Sequence, residues 1–161
     1  MSDIEGIFVS LQTGAQWFGT DDHIYLGVVG TVGGREFALA VDDFDDFEPG
    51  DRATYSIGPA AEIFGGREPD TAAEQLESMT ICLPNVTHVY LRKQGDRSHA
   101  GDDAWELQDC FVYLLGGGTR AFTSTGSAIL GNEYGHKVWL AEGIDGYVDA
   151  RIPAEGEAEC E

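Results

Sequence analysis

Apolar and polar residues alternate in short runs along most of this chain, and turn-forming residues separate the runs. Over residues 4–11, Ile7, Val9 and Leu11 share one face, and over 23–29 Ile24, Leu26 and Val28 do the same. Residues 35–41 offer Phe37, Leu39 and Val41, and residues 52–57 offer Tyr55 and Ile57. Over 86–93, Thr87, Val89 and Leu91 alternate with His88, Tyr90 and Arg92. The most apolar run is 105–115, and runs at 120–125 and 137–142 complete the set. A period of two is the signature of a strand with one face buried and one face wet. Eight short strands bounded by Gly, Asp and Pro predict an all-β fold, an antiparallel eight-stranded β-sandwich.

One segment breaks the alternation. Residues 68–79, EPDTAAEQLESM, are rich in helix formers. Asp70 or Thr71 can cap the helix, and Glu74 stands at the capping-box spacing from Thr71. This predicts a short helical excursion near residues 70–79, inside a long connection spanning 59–84. From Ala154 the chain reads AEGEAECE, acidic and without large apolar residues. Such a segment has too little to bury to order itself. The expected organisation is one domain over residues 1–150 with an acidic tail over 151–161.

Charge is the unusual feature. The 161 residues carry 29 acids and 9 bases, a formal net charge of −20. Nucleic-acid binding needs a basic footprint and is excluded as a role. The same charge opposes general attraction to an anionic membrane, while favouring solubility and a monomeric state. Salt adaptation is a second explanation for the overall acidity. The three cysteines, Cys82, Cys110 and Cys160, show no metal-ligand spacing and imply no disulfide framework. Cys110 lies in an apolar run and reads as a small buried hydrophobe. The N-terminal MSDIEGIFVSL lacks the basic and apolar regions of a secretory leader, which predicts a cytoplasmic protein.

Acids cluster in three places. Residues 42–51, DDFDDFEPGD, hold six acids in ten positions and no base. Adjacent carboxylates repel, at a cost of about 1 kcal/mol per pair at ~4 Å in water. A hard cation relieves that repulsion, because calcium takes six to eight oxygen ligands. The spacing does not fit an EF-hand, so any calcium must be held between loops. Asp21 and Asp22 precede the second strand, and Asp102 and Asp103 precede the strand beginning at Trp105. Loops of an antiparallel sandwich gather at its two ends, so three acidic loops at one end would form a cation cup. Catalytic patterns are missing. The four histidines lack paired spacing, there is no G-x-S-x-G elbow, and nothing groups Asp103 and Glu106 into an acid–base pair. The chain reads as a binding module and not as an enzyme.

Several segments together resemble the PLAT (LH2) domain, the β-sandwich of lipoxygenases, lipases and clostridial phospholipase C toxins. Residues 17–27, WFGTDDHIYLG, are similar to its Gly-Thr-Asp-x-x-x-Tyr signature. Asp45-Asp46-Phe47-Glu48-Pro49-Gly50 resembles its Asp-Asp-Phe-x-x-Gly turn, and Arg52 to Tyr55 the strand that follows. Val89-Tyr90-Leu91-Arg92-Lys93, Asp103-Ala104-Trp105 and Lys137-Val138-Trp139-Leu140 resemble further family motifs in family order. The resemblance covers residues 4–142 and implies a PLAT/C2-like sandwich that binds calcium. Carried over residue by residue, Gly19 and Thr20 would offer backbone oxygens. Asp21, Asp45, Asp46 and Asp103 would offer carboxylates, and Ala104 a carbonyl. Trp17 stands where some members have an acid. Trp17 and Phe18 match the apolar loop tips that contact a membrane or partner.

The function expected from this reading is Ca2+-dependent docking to a lipid surface or a protein partner. The alternative is a carbohydrate-binding or structural sandwich in which calcium only stabilises loops. In that case Trp105 or Trp139 would form the sugar platform.

Overall fold

A computed structural model describes residues 3–14, 23–39, 48–77, 79–94, 104–131 and 135–143. The strands are β1 (Gly6–Thr13), β2 (Ile24–Gly30), β3 (Gly33–Ala38), β4 (Arg52–Ile57), β5 (Val86–Lys93), β6 (Trp105–Leu115), β7 (Thr119–Thr123), β8 (Ala128–Leu130) and β9 (Lys137–Glu142). Two short helices, α1 (Ala60–Phe64) and α2 (Ala72–Glu77), lie between β4 and β5. The hydrogen-bonded order is β3-β2-β5-β9-β7-β6-β1-β4, with β8 attached to β6. All strand pairings are antiparallel.

The order divides into two four-stranded leaves. β9 joins them, pairing with β5 over four positions but with β7 only at Phe122↔Glu142 and Thr123↔Ala141. The leaves close over a single core, to which Leu26, Phe37 and Leu91 contribute from one side and Val9, Tyr55 and Val112 from the other. This is an antiparallel β-sandwich, as the period-2 pattern requires. Opposite the β9–β7 seam the sandwich ends in the edge strands β3 and β4. α2 packs against both, and Ala72, Leu76 and Met79 complete the core there. The long excursion thus closes the side that the hydrogen-bonded ladders leave open.

β6 changes phase along its length. Gln12 pairs with Asp109 but Thr13 with Leu107, so Gln108 is the extra residue of a bulge. Trp105 and Leu107 point inward before the bulge, and Cys110, Val112 and Leu114 after it. Without the slip, one set would face water.

Three expectations change. The strand count is nine among the described residues, because the three-residue β8 is too short to show a period. A second helix, α1, covers the outer face of β1 and β6, where Phe64 stacks on Phe8 (4.7 Å between ring centroids) and on Tyr113 (5.5 Å). Cys82 is disulfide-bonded, whereas Cys110 is free and buried. Cysteine spacing does not encode pairing, so the bond left no trace in the pattern. Burial pushes the Cys110 thiol well above its ordinary range, which makes it a packing group and not a nucleophile.

Candidate functional site at the loop-bearing end

The strand registers decide which loops meet. The last residues of β1 pair with the first of β4 and β6. The first residue of β2 pairs with the last of β5, and Tyr25 pairs with Ala38 at the end of β3. The β1–β2, β3–β4 and β5–β6 connections therefore all leave from one end of the sandwich. These are the three acidic connections.

Their roots are stitched together. The Gly50 N–H donates to the Gly14 carbonyl (2.9 Å), and the Thr13 N–H to the Asp51 carbonyl (2.9 Å). The Gly14 N–H donates to the Glu106 carbonyl (2.9 Å), the Gln94 N–H to the His23 carbonyl (2.9 Å), and the Leu39 N–H to the Ile24 carbonyl (2.9 Å). The ends of the β1–β2 connection are thus tied by main-chain bonds to each of the other two connections. Gln12 adds a side-chain bond from Nε2 to the Gly50 carbonyl (2.8 Å). The Pro49–Gly50 turn read from the sequence is present. The Asp51 N–H donates to the Glu48 carbonyl (3.0 Å), with Gly50 at φ 83° in the position where a type II turn needs positive φ.

Three fully buried side chains with polar groups, Thr13, Lys93 and Trp105, mark this end. Trp105 is fully buried, and its indole N–H donates to Thr13 Oγ1 (3.0 Å). This overturns the expectation that Trp105 could serve as an exposed sugar platform. The bulge turns it inward to pin the root of the third connection to that of the first. Lys93, the last residue of β5, is 0% exposed. Burying a lysine head group requires polar or negative partners around it.

Of the residues expected to hold calcium, Ala104 is described, half-buried and immediately before β6. Gly19, Thr20, Asp21, Asp45, Asp46 and Asp103 lie outside the described residues, as do Trp17 and Phe18. Among the described residues, no group of three His, Cys, Asp or Glu side chains is placed to hold a metal. Glu106 was not counted as part of this end from sequence. Its carboxylate lies over Gly14, where an added Cβ would fall 1.7 Å from Oε1. A Glu one residue into a predicted strand gives no signal that it will reach across to a glycine. Among the described residues no helix is long and apolar enough to cross a membrane.

No family model matches the chain. Among solved structures, coral 8R-lipoxygenase, described as activated by calcium through a C2-like domain, matches with a TM-score of 0.51 at 17% identity. That match covers 86% of this chain and 17% of the lipoxygenase. A lipoxygenase variant in complex with arachidonate matches with a TM-score of 0.50 at 17% identity, over 86% of this chain and 16% of the other. The alpha toxin of Clostridium absonum matches more loosely, with a TM-score of 0.47 at 19% identity over 70% of this chain and 25% of the toxin. The chain spans about a sixth of the length of the lipoxygenases it matches. The order of strands, the single seam and this likeness agree with the motifs read along the chain, and its fold is the PLAT-type, C2-like β-sandwich.

Proposed function

We propose that the loop-bearing end binds calcium and that the loaded end docks onto a lipid surface or a protein partner. The observation that carries this reading is the stitching of the three roots through Gly14, Gly50, Glu106, His23 and Gln94. Loops anchored this closely would deliver their acids to one region, and hard oxygen donors suit calcium. Asp21, Asp45, Asp46 and Asp103 would hold the ion, with Ala104 supplying a carbonyl. The lipoxygenase described as calcium-activated through a C2-like domain supports the reading by analogy of fold.

Bound calcium supplies local positive charge that can share ligands with phosphate or carboxylate oxygens of a partner. Three ions would bring the formal charge only from −20 to −14. Bulk attraction to an anionic surface therefore does not operate, and docking rests on contacts at the loop end, with Trp17 and Phe18 as the apolar tips.

The test is thermal unfolding of chelator-treated protein titrated with calcium, with magnesium as control. A ligand that binds only the folded state adds about 2.7 kcal/mol at a hundredfold excess over its Kd. A saturable rise specific to calcium is expected. No rise, or an equal rise with magnesium, would defeat the proposal.

A further inference from the structure

The outward face of the β3-β2-β5-β9 leaf carries an ordered aromatic and cationic surface that the calcium reading does not use. Val89, Leu91, Val138 and Leu140 pack inward. Alternation therefore turns Tyr90, Arg92, Lys137 and Trp139 outward. The register sets Tyr90 opposite Trp139, and Arg92 opposite Lys137. On its other side Tyr90 lies opposite Gly27, which in turn pairs with Glu36.

Gly27 makes the arrangement possible. A Cβ there would lie 2.0 Å from Tyr90 Cζ, so the phenol ring occupies the space above that strand. Its hydroxyl donates to Glu36 Oε2 (2.8 Å). Trp139 then packs edge-on against Tyr90 (5.2 Å, 70°) and His88 (5.4 Å, 67°). The Lys137 ammonium lies 4.2 Å from the Tyr90 ring centre and 5.1 Å from that of Trp139. The indole is 53% exposed, yet three neighbours hold it. An aromatic fixed in this way loses little entropy on binding, which is what a recognition platform needs.

Charge selects the ligand. Arg92 donates twice to Glu36, from Nε (2.8 Å) and Nη2 (2.9 Å), and the two charges cancel. Among the described residues Lys137 adds a further cation, so the described part of this face carries one net positive charge on a chain of formal charge −20. A carboxylate complements that cation, and the exposed indole offers a flat apolar surface beside it. We propose that this face binds an acidic glycan, with one pyranose ring stacked on Trp139 and its carboxylate paired with Lys137. A neutral sugar brings no countercharge to Lys137, and a flexible acidic peptide offers no rigid flat surface to the indole. The acids elsewhere on the chain are screened beyond about 8 Å at physiological salt. The interaction is therefore local.

The experiment is an NMR titration of the whole 15N-labelled chain in chelator, read on the Trp139 indole N–H and the amides of Tyr90 and His88. The probes are trigalacturonate, maltotriose and triglutamate, each to about 10 mM. Saturable shifts with trigalacturonate are expected, lost in Trp139→Ala and weakened about tenfold in Lys137→Gln. Both side chains lie at the surface, and an unchanged thermal midpoint verifies that each variant folds. Absence of shifts with trigalacturonate overturns the proposal, and so do shifts that survive both substitutions. Equal binding of maltotriose reassigns the face to neutral sugars, and equal binding of triglutamate to acidic peptides; either result overturns it as well. Because chelator is present throughout, failure here leaves calcium binding at the loop end untouched, and the reverse also holds.

Discussion

The indole N–H of Trp105 donates to Thr13 Oγ1 across 3.0 Å, and both side chains are fully buried. Trp105 opens β6 and Thr13 closes β1, so one bond joins the roots of two acidic connections. Thr13→Val keeps the shape and removes the acceptor. A buried donor left unpaired costs about 1–3 kcal/mol. Chemical denaturation is expected to show a loss of that size with an unchanged m-value. A loss below about 0.5 kcal/mol would mean that the bond is not needed to hold this end.

Asp46→Ala and Asp103→Ala should each weaken calcium binding about tenfold, which corresponds to about 1.4 kcal/mol. Neither should lower the melting temperature of the chelated protein. Calorimetric titration checks the first point and a chelated melt the second. Unchanged affinity in both variants would remove these residues from the ligand set.

Glu36 links stability to pH. The hydrogen bond from Arg92 holds its carboxyl below the ordinary 4.5, against the opposing effect of burial. A carboxyl depressed in the folded state stabilises above its unfolded value, and that contribution disappears as pH falls through the folded value. Tyr90, pushed up to about 12 chiefly by burial and then by its bond to Glu36, remains a donor throughout this range. The pair with Arg92 is about a third exposed, so solvent limits the effect to about 1 kcal/mol or less. The wild-type chain should therefore exceed Glu36→Gln in stability at pH 7, with the difference closing below pH 4.5. A gap that stays constant across that window would contradict the assignment.

Gly27→Ala should disturb the aromatic face without opening the core. The new methyl group collides with the Tyr90 ring, 2.0 Å from Cζ. The ring must swing off the strand, losing its bond to Glu36 and its edge contact with Trp139. Overpacking of this kind costs about 1–3 kcal/mol. The Tyr90 and Trp139 resonances should move while those of Val9 and Val112 stay in place.

The acidic loops were legible in the sequence as charge clusters, because adjacent like charges in short segments carry their own physical cost. They join strand ends that the registers bring to one end of the sandwich, at Thr13, Ile24, Ala38, Arg52, Lys93 and Trp105. The helix α1 was not legible. Its only trace in the sequence is that Phe8, Phe111 and Tyr113 occupy outward positions on β1 and β6, which needs a cover that strand patterning cannot name.

Local pattern alone set both limits of four of the nine described strands and located four more to within a few residues. Side chains alternate strictly along an extended backbone, so burial on one face is written locally with a period of two. β4, β5, β6 and β9 match the runs at 52–57, 86–93, 105–115 and 137–142 to the residue. Tertiary structure alone decided three things: the phase slip at Gln108, the inward course of Trp105 against the outward course of Trp139, and the burial of Lys93 at the end of β5. Each depends on which strand lies alongside and in what register. That choice is made by contacts between residues distant in sequence, and no local pattern carries it.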